Sequence, residues 1–162
     1  RDVKPANIFV NGDPYDPELR VVKLLDLGVA RDLNDPRGDD PTLVLGDPRY
    51  MAPEQTRPAG AIDHRADLYA LGMTFFEAVT GHHPFEDAFE EHPRVLFKCH
   101  RERSPTLPSS YLPGDTSAEL ADAIDGFFQA CCGKDPNERF ADAKVMRRAL
   151  GELMRFADRR GG

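Results

Sequence analysis

Residues 66–79 include Ala66, Leu68, Tyr69, Leu71, Met73, Phe75, Phe76, Ala78 and Val79, which leaves almost no polar face on a helix of that length. A helix apolar nearly all round must be enclosed by other chain, so it belongs at the centre of a fold. Its flanks carry end signals. Asp63 offers a carboxylate to the first unpaired N–H groups, and Gly81 lets the backbone turn left-handed at the far end.

The rest of the second half supplies helices to enclose it. Pro93 starts or breaks a helix ahead of the proline-rich stretch 104–113. Thr116-Ser117-Ala118-Glu119 reads as a capping box, with Thr116 accepting from the backbone and Glu119 reaching back. Leu120, Ile124, Phe127, Phe128 and Cys131 follow at helical spacing until Gly133. A last helix from about Asp142 is expected to put Val145, Ala149, Leu153 and Phe156 on one face. The first half differs. Ile8-Phe9-Val10 and residues 19–25 are β-prone, and the turn-rich Asn11-Gly12-Asp13-Pro14-Tyr15-Asp16-Pro17 between them predicts a hairpin with a long tip. Residues 32–48, rich in Asp, Pro, Gly and Arg, predict a long loop, which inside a compact domain is usually functional or disordered.

A chain of 162 residues, 40% hydrophobic and 30% charged, fits one globular domain. Its net charge of −7 argues against a nucleic-acid partner. No apolar run approaches the roughly 20 residues that span a bilayer, so no membrane contact is expected from this segment, and a cytoplasmic location is. Cys99, Cys131 and Cys132 form no CxxC pair and read as buried reduced thiols. His82 and His83 lack acidic or thiol neighbours at zinc-ligand spacing and read as surface loop histidines.

The chemistry concentrates at the start, in Arg1-Asp2-Val3-Lys4-Pro5-Ala6-Asn7. Phosphoryl transfer from ATP needs a group to orient the attacking hydroxyl, oxygen ligands for magnesium and a cation for developing charge. Asp2 suits the first task and Lys4 the third. Asn7 offers an amide oxygen to a hard metal, and Asp26, after the second β-prone run, offers a carboxylate.

These residues resemble the catalytic machinery of the protein kinases. Asp2 to Asn7 is similar to the family's catalytic loop and Asp26-Leu27-Gly28 to its metal-binding triplet. Met51-Ala52-Pro53-Glu54 resembles the motif that closes the activation segment. Asp67, with Leu71-Gly72, looks like the start of the family's central helix, where the Asp anchors the catalytic loop. Arg139 in Lys134-Asp135-Pro136-Asn137-Glu138-Arg139 is similar to the late Arg that pairs with the Glu matching Glu54, and Thr80-Gly81-His82-His83-Pro84-Phe85 also fits. Lys4 favours Ser/Thr over Tyr specificity. Residues 46–55, Gly-Asp-Pro-Arg-Tyr-Met-Ala-Pro-Glu-Gln, look most like bacterial members.

The resemblance implies a kinase-like α+β fold: a mainly helical C-terminal lobe with a short β-hairpin, and no N-terminal lobe in this chain. Residues 1–158 would form a partial kinase domain, with catalytic loop 1–7, activation segment 26–54 and helical subdomain 63–158. Residues 159–162 would begin a linker. It further implies ATP and Mg2+ (Mn2+ as an alternative), a Ser/Thr acceptor on a protein, autophosphorylation, a kinase homodimer, and a full-length protein anchored, if at all, through a segment outside this chain. The chain opens inside a motif without an initiator Met, so it reads as a fragment, with no ATP turnover expected from these residues alone. Much of the helix at 66–79 is expected to be exposed in it.

One position departs from the family. Asp47 stands where a Thr or Ser hydroxyl normally bridges the residues matching Asp2 and Lys4. A carboxylate there is expected to pair with Lys4 and to raise the cost of ionising both Asp47 and Asp2. For regulation, Thr42 is the one hydroxyl-bearing residue between Gly28 and Gly46, and Arg1 precedes Asp2, so a phosphate on Thr42 clamped by Arg1 is the expected activating device, the alternative being that Asp39 and Asp40 already supply the charge. Two alternatives remain open: a pseudokinase acting as a scaffold, which Asp47 favours, and a small-molecule phosphotransferase, which the Glu54 and Arg139 motifs disfavour.

Overall fold

The computed structural model describes residues 2–13, 20–26, 46–57 and 62–159. Among these described residues a two-stranded antiparallel ribbon, β1 (Ile8–Asn11) and β2 (Val21–Leu24), is followed by four helices: α1 (Arg65–Thr80), α2 (Pro93–Glu102), α3 (Ala118–Cys132) and α4 (Ala143–Asp158). Short 3-10 turns join them, and those at Pro5–Asn7, Pro53–Thr56, Pro108–Tyr111 and Pro136–Glu138 each open on a proline. Proline suits that place because its fixed φ matches the turn and its missing N–H would have had no partner. The mainly helical, kinase-like α+β architecture expected from the sequence is what the chain adopts.

Helix α1 is the centre. Ala66, Leu68, Tyr69, Ala70, Gly72, Met73 and Phe76 are buried on it, and α3 packs along it through Phe75 against Phe127 and Phe76 against Phe128, with ring centroids 4.8 and 5.2 Å apart. Gly81 ends the helix at φ 74°, as its sequence suggests. Asp63 acts one residue earlier than expected: His64 takes the N-cap position, and Asp63 Oδ1 accepts from the Arg65 N–H at 2.8 Å. A methyl group at Gly72 would lie 2.5 Å from both Cys131 Cβ and Cys132 Sγ. Since α3 cannot retreat without opening the core, Gly72→Ala is expected to cost about 1–3 kcal/mol in urea unfolding. A cost under about 0.5 kcal/mol would mean that the two helices separate easily.

Three local expectations shift. Ser117, not Thr116, caps α3, its hydroxyl accepting from the Leu120 N–H at 3.3 Å. Asp142 caps α4 through the Lys144 and Val145 N–H groups, but the buried face starts at Met146 and continues through Ala149, Leu150 and Leu153. Of the four residues expected on one face, Ala149, Leu153 and Phe156 are partly buried, while Val145 points outward at 41% exposure and Met146 meets the core in its place. On α1, expected to be largely exposed, only Ala78 and Val79 of the apolar residues are exposed, and most of the exposed apolar surface lies on the ribbon. In register, Ile8 pairs with Leu24 and Val10 with Val22, and Phe9, Val10, Val21, Val22 and Leu24 are all exposed. What remains open on α1 is a groove of Leu71, Phe75 and Ala78 against Phe127, Met146 and Leu150.

The three cysteines are unbridged and buried, and burial pushes the Cys131 thiol up to about 12. No helix among the described residues is long and apolar enough to cross a membrane.

Candidate active site

The turn at Pro5–Asn7 brings Asp2, Lys4 and Asn7 together just before β1. Its closing bond runs from the Asn7 N–H to Lys4 O at 3.0 Å, and the Leu25 N–H then donates to Asn7 O at 2.7 Å. The Asn7 amide Nδ2 donates to Asp2 O at 2.8 Å and to Asp2 Oδ2 at 3.0 Å. With its NH2 committed to Asp2, buried Asn7 has Oδ1 to offer a hard cation. Lys4 Nζ lies 2.9 Å from Asp2 Oδ2, and the Asp47 N–H donates to Asp2 Oδ1 at 3.0 Å. Burial works to raise the Asp2 carboxyl, but the Lys4, Asp47 and Asn7 hydrogen bonds and the Lys4 charge outweigh it and hold Asp2 below the usual carboxylate range.

Asp26 follows β2, and the bond from Leu25 to Asn7 places it at the same end of the ribbon as Asn7. Its φ of 53° makes it the one non-glycine among the described residues with a left-handed backbone. Strained conformations of this kind gather at functional sites, where the surroundings hold them. Among the described residues no group of three His, Cys, Asp or Glu converges on a metal position. Magnesium does not require one, since it takes one or two protein oxygens and completes its shell with phosphate and water. Leu27, Gly28, Arg1 and Thr42 lie outside the described residues.

Asp47 behaves differently from its expected role. Its carboxylate is taken by Arg49: Nε donates to Oδ1 at 3.0 Å, Nη2 to Oδ2 at 2.5 Å and the backbone N–H to Oδ1 at 3.1 Å. Lys4 stands 3.9 Å from Asp47 Oδ2, at the outer edge of an ion pair. Burial favours the neutral Asp47, yet the Arg49 hydrogen bonds and charge prevail and lower it. The expected penalty for two neighbouring carboxylates is therefore outweighed, because each has its own close cation. The contact from this loop to Asp2 is made by a backbone N–H rather than a side chain.

Glu54 and Arg139 meet as a buried fork, with Nη1 to Oε1 and Nη2 to Oε2 both at 2.7 Å. Arg139 also donates to Gly133 O at 2.8 Å and Arg65 O at 3.0 Å, and its guanidinium lies 5.0 Å from the Tyr69 ring centroid. The pair thereby fastens the turn at Pro53–Thr56 to the helical body. Asp67 lies in the first turn of α1, partly buried.

Two residues that sequence reasoning misplaced or missed support the same loop. His83 is 3% exposed, not a surface histidine, and His100 is fully buried. His83 Nδ1 accepts from the Phe85 N–H at 3.1 Å, which assigns the ring proton to Nε2 and a donated bond to Arg49 O at 2.9 Å. His100 Nε2 donates to Pro48 O at 3.0 Å, and Nδ1 accepts from the Tyr69 hydroxyl at 2.9 Å. The only sequence trace of His100 is its place four residues after Leu96 on the buried side of α2.

Both rings are held neutral. Burial, with the Arg49 charge beside it, lowers His83 to about 4, despite nearby Asp47 and Glu86. Burial, with His83 and Lys134 beside it, lowers His100 to about 3. The unfolded chain binds these protons near the ordinary value of about 6.5 and the folded chain does not. This stability is therefore complete above about pH 6.5 and is lost as pH falls towards the folded values. Between pH 6.5 and 5 the two groups together are expected to remove about 3 kcal/mol, read from urea midpoints. His83→Gln should remove about half of that slope, and an unchanged slope would rule out His83 as a contributor.

Comparison with known proteins adds an independent line. The protein kinase domain family matches residues 1–150. The chain is 36% identical over 159 residues to the probable serine/threonine-protein kinase PknB of Corynebacterium glutamicum, covering 97% of this chain and 23% of that protein. It is 38% identical over 155 residues to PknF of Mycobacterium tuberculosis, covering 95% and 30%. It is 36% identical over 156 residues to Pkn1 of Myxococcus xanthus, covering 93% and 20%. The chain thus spans between a fifth and a third of the length of these relatives.

Proposed function

This chain belongs to the protein kinase family, on its bacterial Ser/Thr side, and from that premise we propose that the full-length protein transfers the γ-phosphoryl group of ATP to Ser or Thr hydroxyls on proteins. The observation that carries the reading is the convergence of Lys4 Nζ and Asn7 Nδ2 on the Asp2 carboxylate, at 2.9 and 3.0 Å. Asp2 orients the acceptor hydroxyl and receives its proton as the new O–P bond forms and the bond to the departing ADP oxygen breaks. A lowered carboxyl is a weak base, so its main task is orientation, which suits a loose transition state in which the proton leaves late. Lys4 neutralises charge on the transferring group. Asn7 Oδ1 and the Asp26 carboxylate would hold magnesium, which would supply positive charge to offset that of the phosphates.

Acceptors would include a second copy of the kinase. The scaffold reading drew on Asp47, and the Arg49 fork removes much of its force. The deciding experiment incubates purified full-length protein with γ-labelled ATP, magnesium and a generic basic protein, followed by phosphoamino-acid analysis. Label on phosphoserine or phosphothreonine supports the kinase reading. ATP binding without transfer to any acceptor would replace it with the scaffold.

A further inference from the structure

Lys4 stands between two carboxylates, 2.9 Å from Asp2 Oδ2 and 3.9 Å from Asp47 Oδ2. Lys4 and Asp47 are largely buried, with side chains 21% and 14% exposed, so their attraction is stronger than the same pair would show in water. An ammonium has three N–H donors and no preferred plane. Drawn onto both carboxylates, it would have one donor left for a phosphate and would sit displaced from Asp2. The nearest alternative cation for Asp47 is Arg49, whose Nε and Nη2 take both carboxylate oxygens.

Arg49 is fixed for this task by its surroundings. His83 holds its carbonyl, and His100 holds that of Pro48. The guanidinium carbon lies 5.7 Å from each of the Tyr50 and Phe89 ring centroids. Tyr50 is fixed in turn by donating to Glu77 at 2.9 and 3.0 Å. Arg49 itself is 46% exposed, so its ion pair adds little to stability. What it controls is the direction of the Asp47 charge.

We propose that Arg49 is a positioning residue for phosphoryl transfer: by occupying both oxygens of Asp47 it keeps Lys4 on Asp2 with donors directed at the transferring phosphate. The inference rests on the kinase reading above. It predicts that the effect of removing Arg49 depends on the charge at Asp47, which simple loss of packing or of a substrate contact would not.

The test is a double-mutant cycle in the full-length protein with two readouts. The first is kcat at saturating ATP, and the second is the rate at which an acylating reagent labels the Lys4 amine, followed by mass spectrometry. Arg49→Ala is expected to lower kcat about fivefold or more and to slow Lys4 labelling about threefold, as Asp47 captures the ammonium. In the Asp47→Asn background the same Arg49→Ala change should alter each readout by less than about twofold, because no charge remains to divert Lys4. Equal losses in both backgrounds would overturn the proposal and leave Arg49 a structural or substrate-contacting residue. If the parent protein transfers no phosphate, the kinase reading fails, while the labelling cycle still decides whether Arg49 governs Lys4.

Discussion

Asp2→Asn in the full-length protein is expected to reduce kcat by about 10²- to 10⁴-fold, with KM for ATP changed by less than about threefold. That loss corresponds to roughly 2.7–5.5 kcal/mol of transition-state stabilisation. The substitution keeps an oxygen for the Asp47 N–H but sets an NH2 against Lys4 Nζ and Asn7 Nδ2, all three being donors. The acceptor hydroxyl then loses both its orienting anion and the properly aimed Lys4. Because ATP would be held mainly by other groups, the effect should fall on turnover rather than on nucleotide affinity. The readout is steady-state kinetics beside a thermal melt, to show that the variant remains folded. Full activity in a folded Asp2→Asn protein would mean that another residue orients the hydroxyl.

Arg139→Ala is expected to cost about 3–5 kcal/mol in urea unfolding, a large share of the roughly 5–15 kcal/mol that holds a domain. The change leaves the Glu54 carboxylate, in a residue 8% exposed, without its fork, and it strips the Gly133 and Arg65 carbonyls of a donor. It also opens a void beside Tyr69. Glu54→Leu combined with Arg139→Leu should recover part of the loss, since the penalty lies in the uncompensated charge rather than in the absence of a pair. A single-variant cost below about 1 kcal/mol would show that the segment ending at Thr56 is held by other contacts, among them the Arg101 bond to Thr56 O at 3.3 Å. The same variant should weaken activity through the loop at 46–50, which shares a continuous backbone with Glu54.

Much of the fold was legible because its signals are local. The apolar run at 66–79 announced a central helix, Gly81 marked its end, and Pro93 marked the start of α2. The errors came from context. On α4 the apolar spacing places Ala149 and Leu153 correctly and misplaces Val145, because in the first turn its neighbour Met146 is the residue that meets the core. The burial of His83 is not legible in the sequence, because a polar dipeptide beside a glycine gives no sign of the ring pocket formed by Tyr50, Phe85 and Phe89.

The sequence by itself determined the chemistry available, because the residue types and short spacings of Asp2, Lys4 and Asn7 bring their side chains together within one turn. It also paired Glu54 with Arg139 through family likeness. Only the tertiary structure decided what Asp47 does. Seen in sequence it is a misplaced charge beside Lys4; folded, it is neutralised by Arg49 two residues away. That outcome depends on carbonyls held by His83 and His100 from 34 and 52 residues further along the chain. Charge is written in the residues, but the partner of a charge is set by which neighbours the fold brings within hydrogen-bonding range and shields from water.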